Sequence, residues 1–286
     1  MTRLFAFTLI CAALLAPTAA ADEVALTCGS ATIAFDLPVL LGETPLNQLD
    51  AVFGITETRD QLLSLPGNNP SPVITWELNL PGTPSPTGRL IQATTLVISH
   101  DNVLGTWQPG NDVGPFLSGG EQIGFGGMTR FTLDPGINGI LLFGDWALRY
   151  APGRADGLRS GLVLTSNIDF PSAVFADIGS ASITANEDQI TINGDVLVSD
   201  GLIVLGFPPS NYLLDIGNFS LTARLASSFP PGDINHDSII DAADVQIFVD
   251  VLIGVDVDNV HRIRCDFNCD GKADGRDIKD FLHLIL

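Results

Sequence analysis

From Asp22 to about Leu225 the chain alternates short apolar or β-branched runs with clusters of Gly, Pro, Asn and Asp. Such runs predict strands at Val24–Leu37, Val73–Leu80, Arg89–Ser99, Gly124–Leu133, Ile140–Tyr150, Gly161–Ile168, Ala181–Ala185, Gln189–Ile192, Val196–Val198 and Phe219–Leu225. Period-two alternation shows in Phe131-Thr132-Leu133 and in Ile190-Thr191-Ile192. Asn193-Gly194-Asp195 reads as a hairpin turn, since Asn-Gly readily takes the positive φ such turns need. Pro residues such as Pro66, Pro70, Pro72, Pro81 and Pro135 fall between the runs, where a missing N–H breaks no ladder. Asn47–Leu65 is the expected helical excursion. The pattern predicts a mostly β protein, an antiparallel β-sandwich or jelly roll over residues 22–226.

At Ser227-Ser228-Phe229-Pro230-Pro231 the pattern breaks. Two consecutive prolines hold a chain extended, so residues 227–231 read as a linker and 232–286 as a second domain. There the period becomes helical. Val245, Phe248, Val249 and Leu252 stand at i, i+3, i+4 and i+7, and Ile278, Phe281, Leu282 and Ile285 repeat that spacing. The expectation is two amphipathic helices with facing apolar stripes, the first ended by Gly254.

Before each helix lies an acidic loop, and the two copies are offset by 33 residues. The first runs D-I-N-H-D-S-I-I-D-A-A-D from Asp233 to Asp244, the second D-F-N-C-D-G-K-A-D-G-R-D from Asp266 to Asp277. Oxygen-bearing side chains recur at loop positions 1, 3, 5, 9 and 12, the spacing with which a twelve-residue loop wraps Ca²⁺. The predicted ligands are Asp233, Asn235, Asp237, the Ile239 carbonyl, Asp241 and Asp244, then Asp266, Asn268, Asp270, the Lys272 carbonyl, Asp274 and Asp277. Oxygen donors without His or Cys favour Ca²⁺ over transition metals, so the expected cofactor is two Ca²⁺ ions. Two short helices bury little apolar area, so cation binding would add directly to the folding free energy of this segment.

At these residues the sequence resembles a type I dockerin domain, a pair of F-hand repeats, over Gly232 to Leu286. Asp in place of Glu at position 12, at Asp244 and Asp277, is similar to the dockerin pattern, as is the shortage of entering helices. Pro230-Pro231 precede the first loop, and only the short segment Val257–Ile263 precedes the second. The resemblance implies docking of a secreted protein onto a cohesin-like domain, often in polysaccharide-degrading assemblies. Positions 10 and 11, where the family often has Ser-Thr, hold Ala242-Ala243 and Gly275-Arg276, a mismatch that argues against a symmetric two-way docking mode. Ser238 stands where Gly is usual at position 6, and His236 and Cys269 occupy position 4.

Charge and composition narrow the rest. The 286 residues hold 13 Lys plus Arg against 33 Asp plus Glu, a formal net charge of −20, which argues against nucleic acid and anionic lipid as partners. Both lysines, Lys272 and Lys279, lie in the acidic tail, so the β region has no lysine nucleophile. Arg3, the uncharged run Leu4–Ala16 and the small residues Ala19-Ala20-Ala21 read as a signal peptide over residues 1–21, and so as a secreted protein without membrane insertion. Cys28, Cys265 and Cys269 then remain, allowing one bridge and one free thiol. Cys265 and Cys269 are close enough in sequence to pair, though spacing does not settle the geometry.

The β region carries no H-E-x-x-H, G-x-S-x-G or P-loop motif. Ser99-His100-Asp101 are strand neighbours that point in alternate directions and cannot form a relay. Its glutamates are Glu23, Glu43, Glu57, Glu77, Glu121 and Glu187, with Glu77 beside Trp76 the one inside a strand. An outward-facing role is expected for Glu77 and a core role for Trp76 and Trp146. Trp107, Gln108, Asn111 and Asp112 form a candidate sugar platform. The expectation is a non-catalytic β domain joined to a calcium-binding assembly module. The alternatives are a polysaccharide-active glycoside hydrolase and a carbohydrate-binding protein.

Overall fold

The computed structural model describes residues 23–99, 105–107, 120–137, 139–169, 173–226 and 229–285. The signal-like leader and His100, Asp101, Gln108, Asn111 and Asp112 lie outside the described residues, and so do the side chains of Ser99 and Trp107.

Among the described residues the β region holds eleven strands: β1 (Glu23–Phe35), β2 (Leu46–Phe53), β3 (Val73–Glu77), β4 (Val97–Ser99), β5 (Gly105–Trp107), β6 (Gln122–Leu133), β7 (Ile140–Tyr150), β8 (Arg159–Ser166), β9 (Ala173–Ala185), β10 (Gln189–Val198) and β11 (Asp215–Leu225). Short helices α1 (Leu37–Glu43), α2 (Arg59–Ser64) and α3 (Asp200–Val204) interrupt them. The pairing is antiparallel and follows one path, β2-β6-β7-β8-β9-β10-β11-β1-β3, with β4 added to β1 and β5 to β9. A bridge from Leu78 to Phe125 joins the end of β3 to β6, so the sheet is nearly closed. The strands therefore make one continuous curled sheet, where the sequence pattern suggests the two facing sheets of a sandwich.

Inside lies an aromatic core of Phe35, Trp76, Phe125, Phe143, Trp146 and Phe175, with centroids 4.8 Å apart for Phe143–Phe175 and 5.1 Å for Trp146–Phe175. Trp76 and Trp146 are buried as expected, and Glu77 faces outward. β6 and β7 are buried on both faces, because Ala51, Phe53, Leu62, Met128, Leu142 and Ile168 form a second cluster outside the main core. Strands covered on both sides read as near-continuous apolar runs, which is why these two were found with nearly correct bounds.

Several boundaries differ from the expectation. β1 stops at Phe35 because Asp36 caps α1, accepting from the Val39 amide, and Pro38 stands in its first turn. The helix expected across Asn47–Leu65 is instead β2 followed by α2. Leu46 and Leu49 face the main core and, past a register shift against β6, Ala51 and Phe53 face the second cluster, while a Thr58–Gln61 capping box delays the helix to Arg59. Of Arg89–Ser99 only Val97–Ser99 is strand; Arg89 instead buries its guanidinium against Asp145 at 2.5 Å, both side chains fully enclosed. The Asn193-Gly194-Asp195 turn is not a turn. It lies within β10 at a register shift, and the hairpin closes at Asn186, whose Oδ1 accepts from the Asp188 and Gln189 amides. Gly194 answers a close approach: a Cβ there would stand 2.5 Å from Ile178 Cγ2.

The tail consists of α4 (Ala242–Leu252), α5 (Asn259–Cys265) and α6 (Ile278–Ile285). Its small core joins Ile234, Phe248, Val251, Cys265 and Phe281, and the Phe248 and Phe281 rings lie 4.3 Å apart. The facing-stripe expectation holds for these two rings. Val245, Val249, Ile278 and Leu282 are exposed instead, because two short helices crossing at one contact cover only part of each stripe. Gly254, at φ 73, ends α4: its amide donates to the Val251 carbonyl and the Val255 amide to that of Asp250. The second loop does have an entering helix, the two-turn α5, where the sequence suggested only a short connecting segment. No helix among the described residues is long and apolar enough to cross a membrane.

Candidate metal centre

The two acidic loops lead into α4 and α6 and share most of their hydrogen bonds; among the described residues the Ile234 amide to Asp244 and Asn235 Nδ2 to Asp237 occur in the first loop alone. Asp233 Oδ1 accepts from the Asp237 amide at 3.1 Å and its Oδ2 from Ser238 at 2.8 Å. Asp266 accepts from Asp270 at 3.1 Å and from Gly271 at 2.8 Å. Asn235 Oδ1 takes the Asp237 amide and Asn268 Oδ1 the Asp270 amide, both at 2.9 Å. Asp237 and Asp270 each accept from position 7, the amides of Ile239 and Lys272. The carboxylates at position 12 reach back in the same way, Asp244 to the Asn235 and Asp241 amides and Asp277 to those of Asn268 and Asp274.

The backbones agree as well. Position 4 is left-handed in both loops, at φ 59 for His236 and φ 60 for Cys269. Position 6 is left-handed at φ 71 for Ser238 and φ 85 for Gly271. Only the glycine takes that conformation without steric cost. The same carboxylates also start the first helix: Asp241 is the N-cap of α4, and Asp244 completes its capping box.

Burial makes these loops unusual as plain turns. Asp233, Asp244 and Asp277 are 3%, 0% and 0% exposed, and among the described residues none of them forms an ion pair. Among the described residues the hydrogen-bond donors to these three carboxylates are backbone amides. Burial and the neighbouring Asp277 charge also raise the Asp266 carboxyl above the usual carboxylate range, against the pull of its amide donors. In the second loop Arg276 Nη1 stands 2.6 Å from Asp270 and Nη2 2.7 Å from Asp274, so positions 5 and 9 meet at one positive group. That contact holds the Asp274 carboxyl down at about 2. Among the described residues no three His, Cys, Asp or Glu side chains are already gathered as a metal shell. The donor set nonetheless fits a hard divalent cation in kind and in number: oxygen throughout, with four carboxylates in each loop.

The sequence did not reveal how the tail is attached. Cys269, at position 4 of the second loop, is disulfide-bonded to Cys28 on β1, and Cys265 is the buried free thiol. A Cys265–Cys269 bridge is thereby replaced by a link 241 residues long in sequence. Arg264 Nε lies 3.0 Å from Asp188 in the β9–β10 hairpin, and its Nη1 donates to the Ile234 carbonyl of the first loop at 2.9 Å. Arg224 of β11 donates to the Asp266 carbonyl of the second at 3.3 Å. Phe229 of the Pro-rich segment stacks on His236 with centroids 4.0 Å apart. A cavity of about 410 Å³ remains at this junction, lined by Phe229, Pro231, Ile234, Phe267 and Leu284 among others. Both loops are thus fastened to the sheet through their own backbone, by residues whose importance no local pattern signals.

In the β region, Trp76, Glu77 and Asn79 line an open groove of about 440 Å³ with Gly54 and Thr83. β5 places the Trp107 backbone beside Ile183 of β9. Compared with family models and with curated proteins, the chain matches none.

Proposed function

We propose that this chain is a secreted calcium-binding protein whose C-terminal segment, residues 232–286, holds two Ca²⁺ ions and mediates protein–protein assembly in the manner of a dockerin, on a non-catalytic β domain. The observation that carries the reading is the shared ligand register of two loops with three enclosed carboxylates that form no ion pair among the described residues. Asp233, Asn235, Asp237, Asp241 and Asp244 supply side-chain oxygens to one ion, and Asp266, Asn268, Asp270, Asp274 and Asp277 to the other. The carbonyls of Ile239 and Lys272 complete the two sets. Calcium neutralises the clustered charge, and this chain's own residues do the remaining work: the position 12 aspartates fix each loop to its helix, and Phe248 and Phe281 hold the helices together. A cohesin-like domain is the partner this reading implies. Because Arg264, Arg224 and Cys28 fix the segment against the sheet, it would present itself to that partner in one orientation.

Equilibrium dialysis of the chain without its leader against calcium tests the reading, with magnesium as the competing ion. Two calcium ions per chain are expected, one after Asp244→Asn or Asp277→Asn, and none after both. Uptake unchanged by these substitutions, or absent at millimolar calcium, overturns the proposal. A second reading, carbohydrate binding by the β domain, draws on the groove where Glu77, Asn79 and Thr83 offer hydroxyl-binding groups beside Trp76. Glycan-array binding that is lost in Glu77→Gln would support it, and a blank array would remove it.

A further inference from the structure

The two loops share a backbone and differ in charge. Residues 233–244 carry four carboxylates and no Lys or Arg. Residues 266–277 carry four carboxylates together with Lys272 at position 7 and Arg276 at position 11. Arg276 is engaged with candidate ligands: besides the two ion pairs, its Nε donates to Asp274 Oδ1 at 3.1 Å. Position 11 of the first loop is Ala243, which has no group to offer. Asp237 there receives the Ile239 backbone amide and the neutral Asn235 side-chain amide, and among the described residues neither Asp237 nor Asp241 forms an ion pair.

We propose that Arg276 is a built-in competitor for the divalent cation, so that the loops fill unequally, residues 233–244 first and residues 266–277 only at higher calcium. The inference rests on the calcium reading above and adds an order of occupancy to it. An ion entering the second loop must take Asp270 and Asp274 from a guanidinium that already joins them. Each such exposed pair is weak alone, but the positive charge stays beside the site after displacement. A unit charge about 6 Å from a divalent ion in water lowers its affinity about tenfold. Affinity in such loops follows ligand charge, and the second loop is two charges poorer. The Cys28–Cys269 bridge acts in the opposite direction by fixing position 4. Charge and tether are separable, because Arg276→Gln removes only the first.

Calcium titration by calorimetry of the disulfide-intact chain without its leader tests the inference. The expected wild-type trace has two steps about tenfold or more apart, with the tight step missing in Asp244→Asn and the weak one in Asp277→Asn. Arg276 is mostly exposed and packs into no core, so Arg276→Gln should fold normally and tighten the weak step about tenfold, leaving the tight step in place. High potassium chloride should narrow the wild-type gap. Two equal steps in the wild type, or a weak step that Arg276→Gln does not move, overturn the inference while the calcium reading stands. Absence of calcium uptake in every form overturns the calcium reading itself.

Discussion

Replacing both Cys28 and Cys269 by Ser removes the disulfide between the tail and the sheet, and leaves Cys265 without a partner for a substitute bridge. The link spans 241 residues. A crosslink of that length restricts the unfolded chain strongly, and the chain-entropy relation puts its loss at about 5 kcal/mol. The sheet has a large core of its own, whereas the buried cluster of the tail among the described residues is Ile234, Phe248, Val251, Cys265 and Phe281. The loss should therefore fall mainly on the tail. Its remaining attachments, the Arg264–Asp188 pair and the Arg224 bond to the Asp266 carbonyl, keep it docked in the cold but not near the sheet's melting temperature. Differential scanning calorimetry without reductant should show one transition for the wild type. The double variant should show two, with the tail's midpoint lower by about 20 °C or more, the order expected for about 5 kcal/mol in a unit as small as the tail. Urea unfolding followed by far-ultraviolet circular dichroism gives the same quantity independently. A double variant that melts in one transition, with a urea midpoint equivalent to less than about 1 kcal/mol of loss, would refute the reasoning.

Asp188→Asn leaves the Arg264 guanidinium, 12% exposed, without its carboxylate, and should cost about 3 kcal/mol in urea unfolding. Phe248→Ala opens the contact with Phe281 and Phe267 and should cost about 3–4 kcal/mol in urea unfolding. Burial pushes the Cys265 thiol up to about 12, so native protein at pH 8 should not react with a thiol reagent, and denatured protein should titrate one thiol per chain. The same shift has a stability consequence of definite sign. The folded state favours the protonated thiol, so its contribution is whole below about pH 9 and disappears as pH rises through about 12; alkaline unfolding of a Cys265→Ala variant should lack that dependence. In the intact chain, saturating calcium at 100 times its dissociation constant should stabilise by about 2.7 kcal/mol per filled loop, read as a shift in melting temperature that EDTA reverses.

Much of the site was legible because each loop is local. Twelve consecutive residues fix their own turns through side-chain to amide bonds, and a repeat 33 residues on shows the same bonds twice. Strands enclosed on both faces, β6 and β7, were legible for a similar reason: burial leaves an unbroken apolar run. The errors came where a local signal met a long-range demand. Asn193-Gly194 looks like a turn, but its glycine is required by the Ile178 side chain on the neighbouring strand. The apolar run after Asn47 looks helical until β6 supplies a partner for it.

The amino-acid order alone determined the strand-rich region, the break at Pro230-Pro231, and two loops whose oxygen donors recur in one register. Only the folded arrangement decided that the strands make one curled, nearly closed sheet, that Cys269 pairs with Cys28, and that Arg224, Arg264 and Asp188 fasten the loops to that sheet. The physical reason is separation along the chain. Spacing can report interactions within a turn or two, but the partners of Cys269 and Arg264 lie 241 and 76 residues away. Their pairing is set by where the whole sheet places β1 and the β9–β10 hairpin.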